Sequence, residues 1–259
     1  MYNRGDNRRR FASVESALTV SFRIMSDPRN KGILANLFGR AAKAGFERAY
    51  AQIRIDERRY LRQVKRAHRL PIDSWSDMFL LGPDVVNPIA HATIRGASKM
   101  AALEGMGFGL GGFLTVVPDM GILAAITLRM LEKLSLLHGF EYRTEEENLS
   151  LWIAAASAAG VDMGRNFLER QAVEKLVPRI IDRMAVKVGA EVAEKWAGRI
   201  VPVVSAGAAG VINYHFVRTW GRRAQKHFLA RHVEVIDRHG FVRVANPSQA
   251  RLLASSSAI

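Results

Sequence analysis

The fold is decided by residues 104–140, which read EGMGFGLGGFLTVVPDMGILAAITLRMLEKLSLLHGF. The first half is apolar and rich in glycine. Glycines cost about 1 kcal/mol each in an exposed helix, so they indicate close backbone packing or a loop. Pro118 and Asp119 suit the first turn of the helix that follows, and Gly139 suits its C-terminal cap. We expect this helix to end near His138 and to have one apolar face, made of Leu123, Ile126, Met130, Leu134 and Leu137.

Composition favours helices along the rest of the chain. The 259 residues are 49% hydrophobic with a mean hydropathy of −0.01, which is typical of a folded protein. Abundant alanine and few β-branched and aromatic residues favour helix over strand. We predict an all-α, multi-helix bundle with two glycine- and alanine-rich apolar helical hairpins and a basic N-terminal arm and helix. Cysteine is absent, which excludes disulfides and cysteine nucleophiles.

Breaks in composition divide the chain into four predicted segments. These are a basic flexible arm (1–32), a basic amphipathic helix with a proline-rich linker (33–88), a helical domain (89–240) and a frayed tail (241–259). The basic helix should run from Ile33 to Leu70, and the prolines between Pro71 and Pro88 mark the boundary before a new helix at Ile89.

Two features of the second half complete the prediction of helices. Glu145–Glu147 should begin a helix. Pro202 precedes a second small-residue segment, VPVVSAGAAGVINYHFV, which a separate basic helix should follow from Thr219 to about Arg238.

The charge of the chain is concentrated at its ends. The net charge is +14, with 17 Lys/Arg against 6 Asp/Glu in residues 1–70 and 8 against 2 in residues 218–259. Such flanks are attracted to phosphate backbones or to an anionic membrane face, where each cation contributes about 1 kcal/mol. Glu15 and Arg23 interrupt the apolar region that an export signal needs, so we expect a cytoplasmic location.

No motif for chemistry stands in its required context. Residues 107–112 satisfy GxGxxG, but helix rather than strand should precede them, so dinucleotide binding is disfavoured. His227 and His232 are poorly spaced for one helical face, and Ser205 lies in no GxSxG elbow. We predict no cofactor, no metal site and no catalytic residues, and favour a protein that is not an enzyme. Asp119 and Asn213 are candidate buried polar residues, which pack structurally or bind a polar ligand.

Several blocks of the chain resemble the EcsC family. They are Gly105 to Asp119 with its terminal Pro-Asp, the helix end His138-Gly139-Phe140, and Arg199 to Val204 followed by Gly207, Gly210 and Asn213. Together they cover roughly residues 90 to 230. The resemblance implies a helical, cytoplasmic, membrane-associated protein named after a companion of an ABC transporter operon, and it brings no catalytic residues.

The sequence is most consistent with a peripheral accessory or regulatory protein on the cytoplasmic face of a membrane, which binds anionic lipids. A membrane transporter or another protein is a further candidate partner. A soluble interaction adaptor or transporter accessory stays open as an alternative, with an unrecognised enzyme or a nucleic-acid binder less favoured. The residues predicted to contact or enter the membrane are Arg8, Arg9, Arg10, Arg58, Arg59, Arg62, Lys65, Arg66, Arg69, Phe108, Leu110, Phe113, Leu114, Arg222, Arg223 and Lys226.

Overall fold

The described part of the chain is an all-α bundle, as the composition predicts. The computed structural model describes residues 31–52, 55–109, 116–161, 173–197 and 206–240. A short 3-10 helix occupies Ser76–Leu80. The α-helices in these residues are α1 (Lys31–Gln52), α2 (Glu57–His68), α3 (Pro83–Gly109), α4 (Val116–Leu137), α5 (Glu145–Ala158), α6 (Val173–Ala197) and α7 (Ala206–His239).

Six of the helices form a closed ring of neighbours. Going around the ring, α1 packs on α4, α4 on α3, α3 on α7, α7 on α5, α5 on α6, and α6 on α1. The longest packed interfaces are those of α3 with α7 and of α1 with α6. Helix α4 also contacts α7 and α5 across the ring, so it lies at the centre of the hydrophobic core.

The central helix α4 matches its prediction closely. All five residues of the predicted apolar face are at most 8% exposed. The helix ends at Leu137, and Gly139 follows with a φ of 87°, the left-handed conformation expected of a C-terminal cap. A Cβ on Gly139 would lie 2.7 Å from the Phe79 ring, so this turn also requires a residue without a side chain.

The start of α5 is set by a capping box. The Thr144 hydroxyl accepts a hydrogen bond from the Glu147 amide, and the Glu147 carboxylate accepts one from the Thr144 amide. The predicted start of a helix at Glu145–Glu147 is therefore confirmed.

Three predicted helix boundaries are wrong. The helix expected from Ile33 to Leu70 is divided, because Asp56 adopts an extended conformation and its side chain caps α2 by accepting from the Arg59 amide. Helix α3 begins at Pro83, not Ile89: proline suits a first helical position, and the helix continues past Pro88. The described part of the second small-residue segment, from Ala206, and the basic helix expected from Thr219 are one continuous helix, α7.

Small residues allow the two longest interfaces to form. A Cβ on Gly189 of α6 would lie 2.6 Å from the Gly39 nitrogen of α1, and a Cβ on Gly210 of α7 would lie 2.7 Å from the Ala102 carbonyl oxygen of α3. A Cβ on Gly210 would also lie 2.7 Å from the Cγ of Met106, which belongs to the glycine-rich stretch that begins at Glu104. Within the described residues, α7 packs mainly along α3 and α6 mainly along α1.

One hydrophobic core spans the predicted boundary at Pro71–Pro88. It includes Ala42 and Phe46 of α1, Trp75 between α2 and α3, and Trp220 of α7. The rings of Phe46 and Trp220 stack with centroids 6.0 Å apart. Helix α1 therefore contributes to the same core as the helices after the boundary.

Candidate functional site

The outer side of α2 carries a dense row of cations, which we call the α2 basic face. Its members are exposed except for Lys65, which is half-buried, and they lie opposite the buried residues Tyr60 and Val64. Helical spacing places them within one arc of the helix surface. The α2 basic face consists of Arg58, Arg59, Arg62, Lys65, Arg66 and Arg69.

The buried side of α2 attaches this helix firmly to the bundle. The Tyr60 ring lies 5.4 Å from the Trp75 ring, and the Tyr60 hydroxyl is hydrogen-bonded to Thr93 of α3. Burial raises the pKa of Tyr60 to about 12. The Lys133 ammonium of α4 lies 5.3 Å from the centre of the same ring. Helix α2 thus contacts both α3 and α4 through Tyr60.

Acidic neighbours compensate only part of this charge. Lys65 pairs with Asp73, while Glu57 pairs with Arg143 at 2.9 Å instead of with a cation of α2. Among the described residues, Arg58, Arg59, Arg62 and Arg66 form no salt bridge; their guanidinium groups face solvent.

Helix α4 adds positive charge beneath α2. Burial lowers the pKa of the Lys133 ammonium, and the neighbouring Arg129 lowers it further by repulsion. Arg129 itself is exposed. Helix α4 thus places Lys133 against the buried side of α2, with the exposed Arg129 one helical turn before it.

The second predicted basic patch lies on α7 and is less uniform. Arg222 and Lys226 are exposed. Arg223 is exposed as well, but its guanidinium donates a hydrogen bond to the Ala158 carbonyl oxygen at the end of α5. It therefore has a structural contact in addition to any role at the surface.

Several predicted site residues fall outside the described structure. Arg8, Arg9, Arg10, Leu110, Phe113 and Leu114 belong to undescribed ranges, and the side chains of Phe108 in α3 and Asp119 in α4 are not described either. Asn213 of α7 is buried, at 6% exposure. The burial predicted for Asp119 therefore stays a prediction.

The structure reveals a buried histidine pair that the sequence did not indicate. His138 and His232 are both fully buried, with ring centroids 5.9 Å apart. His232 contacts two carbonyl oxygens, its Nδ1 that of His138 at 2.9 Å and its Nε2 that of Leu81 at 3.2 Å. These partners are distant in sequence, so no local spacing could have revealed the pair.

The surroundings of His138 favour the neutral imidazole, although a helix C-terminus by itself favours a positive charge. Its Nδ1 lies 2.7 Å from the Leu134 carbonyl oxygen and must donate to it, while its Nε2 is buried without a hydrogen-bond partner. Burial, with a smaller contribution from the nearby His232, lowers the pKa of His138 to about 4. The helix dipole is too weak to offset this desolvation.

The described residues form no evident catalytic or metal centre. No three His, Asp or Glu side chains among them are grouped as metal ligands would be. A cleft of about 310 Å³ lies beside α7, where His215, Arg223 and Glu191 accompany mainly apolar residues. The described helices also include none that combines the length and the apolar character needed to cross a membrane.

Comparison with known proteins identifies the family. The model of the EcsC protein family matches residues 46–233, which include α2 to α6 entirely and most of α7. The chain belongs to the EcsC protein family. The family match begins well before residue 90, where the resemblance of the sequence blocks was placed, so α2 and its basic face lie inside the matched region of this EcsC-family protein.

A curated relative supports the same assignment. Protein EcsC of Bacillus subtilis (strain 168) is 27% identical over 147 residues, which cover 55% of this EcsC-family chain and 61% of the relative. The match thus spans less than two thirds of that relative's length. No solved structure matches the chain.

Proposed function

We propose that this protein binds the anionic cytoplasmic face of a membrane as a peripheral, accessory protein, with the α2 basic face as its main contact. The observation that carries the proposal is the row of solvent-facing arginines on one side of a helix whose opposite side is anchored in the core. Anionic head groups attract such a row without needing a shaped pocket.

The energies involved are sufficient for reversible binding. Each Lys or Arg close to an anionic bilayer contributes about 1 kcal/mol, so four arginines without acidic partners would contribute about 4 kcal/mol together. Because Tyr60 and Val64 fix α2 on the bundle, little conformational freedom is lost when the cations meet the lipid. The attraction should weaken when salt shortens the screening length.

The proposal can be tested by flotation with phosphatidylcholine vesicles, with and without about one quarter phosphatidylserine. We expect binding only to the anionic vesicles. The variant Arg58→Gln, Arg62→Gln, Arg66→Gln should bind about 100-fold more weakly, since three contributions of about 1 kcal/mol are removed.

A control variant separates position from total charge. Arg40→Gln, Arg48→Gln, Arg179→Gln removes the same charge from exposed sites on α1 and α6. We expect this control to bind almost as tightly as the unmodified protein. Equal weakening by the two triple variants would show that net charge alone acts. Absence of flotation in low salt would reject membrane binding and favour a protein partner or nucleic acid as the acidic target.

A further inference from the structure

A strip of exposed apolar side chains occupies the C-terminal half of α3. Met100, Leu103 and Met106 are 57%, 66% and 37% exposed, and their spacing places them on the solvent side of the helix. We call these three residues the α3 apolar strip. Large apolar residues exposed on consecutive turns are unusual on a soluble surface and are typical of a contact site.

The strip lies directly after two cations on the same side of α3. Arg95 and Lys99 are exposed, and Arg95, Lys99 and Met106 are spaced by four and seven residues, which keeps them aligned. Lys99 precedes Met106 by about 10 Å along the axis. This order, cations followed by apolar groups, suits a helix end that enters lipid while its Lys and Arg side chains reach the head groups.

The strip and the α2 basic face occupy neighbouring parts of the surface. Tyr60 of α2 is hydrogen-bonded to Thr93 of α3, and Met100 follows Thr93 by two helical turns on the same side. A membrane that contacts the α2 basic face would therefore also contact the α3 apolar strip, at the edge of the contact area.

Helix α7 borders one side of the strip. Gly210 approaches α3 so closely that a Cβ there would lie 2.7 Å from the Met106 Cγ. Met106 therefore packs against α7, which agrees with its lower exposed fraction of 37%.

We infer that the α3 apolar strip inserts into the acyl boundary of the anionic bilayer that the α2 basic face attracts. The inference rests on the proposed function and extends it, because it assigns the end of the bundle that enters the lipid. The occupant is a lipid surface, because the cations flanking the strip match anionic head groups and the strip itself matches the acyl region.

The absence of native cysteine makes a site-specific test direct. Leu103→Cys would be labelled with the environment-sensitive fluorophore NBD and mixed with the anionic vesicles, and flotation would be measured on the same sample. We expect a blue shift and at least a twofold rise in emission at position 103, with quenching by a spin label placed on the acyl chains. Val186→Cys on α6 is the matched control, since Val186 is 71% exposed but distant in sequence from the strip.

The possible outcomes distinguish insertion of the α3 apolar strip from membrane binding itself. Protein that floats with unchanged NBD emission at position 103 would refute insertion and leave surface binding intact. Equal blue shifts at positions 103 and 186 would also refute it, since the strip would then have no special position. No flotation of the unlabelled protein would reject both.

A second variant tests the energetic role of the strip without a label. Leu103→Asn should leave the binding observed in low salt nearly unchanged but should lower the fraction that stays bound in high salt, because only the apolar contribution resists screening. Because Leu103 is exposed, we expect Leu103→Asn to leave the fold intact. Circular dichroism of the variant would check this. A high-salt fraction identical to that of the unmodified protein would contradict the inference.

Discussion

At the scale of single residues, His138 carries the largest consequence for stability. In the unfolded chain its pKa is near 6.5, whereas in the folded protein burial lowers that pKa to about 4. The unfolded state therefore binds more protons between these values, and stability falls as the pH decreases through this window.

His138→Phe tests this effect. The difference in proton binding between the unfolded and folded states predicts that His138 alone lowers the unfolding free energy of the unmodified protein by about 2 kcal/mol at pH 5 relative to pH 7.5. The variant should lack this loss, because phenylalanine cannot be protonated and can stack on Phe228 as the imidazole does. Urea denaturation at both pH values measures it. The same pH dependence in both proteins would disprove the assignment.

At the scale of helix pairs, the interface of α1 with α6 depends on Gly189. A Cβ at this position would meet the backbone of Gly39, which has no flexible end to move aside. We expect Gly189→Val to separate the two helices and to cost about 3 kcal/mol or more in unfolding free energy, as overpacked cores do.

Gly96→Ala is the matched control for that variant. Gly96 also lies within a helix, but no atom is within 4 Å of a Cβ built there. Alanine should therefore stabilise the protein by about 0.5–1 kcal/mol through its higher helix propensity. Denaturation midpoints of both variants provide the measurement. A neutral Gly189→Val would mean that α1 and α6 are not closely packed.

The helices and their ends show which features of the fold could be predicted from the sequence. The apolar face of α4 and the start of α5 were predictable, since both depend on residues within a few positions of each other. The break near Asp56 could not be predicted, because alanine and arginine continue a helical pattern on both sides of it. The interruption depends on a single N-terminal cap. The α2 basic face was visible as composition, whereas its attachment through Thr93 and Lys133 needed the tertiary structure.

At the scale of the whole molecule, the continuous core makes a prediction about fragments. A fragment of residues 89–240 lacks α1, α2 and Trp75. Its Trp220 therefore loses the stacking contact with Phe46. We expect this fragment to lack cooperative unfolding, whereas residues 31–240 should retain it. Urea denaturation followed by circular dichroism compares the two. A cooperative transition in the shorter fragment would support the predicted domain boundary at Pro71–Pro88.

The hydrogen bonds of His232 also bear on the order of folding. They join α7 to carbonyl groups 94 and 151 positions earlier in the chain, and α7 is the main packing partner of α3. Contacts between residues so far apart in the sequence form slowly, because the entropy cost of closing a long loop comes before any stabilisation by the contact. During synthesis, α3 therefore emerges from the ribosome long before α7, and its apolar side stays without its final partner until translation has passed His232.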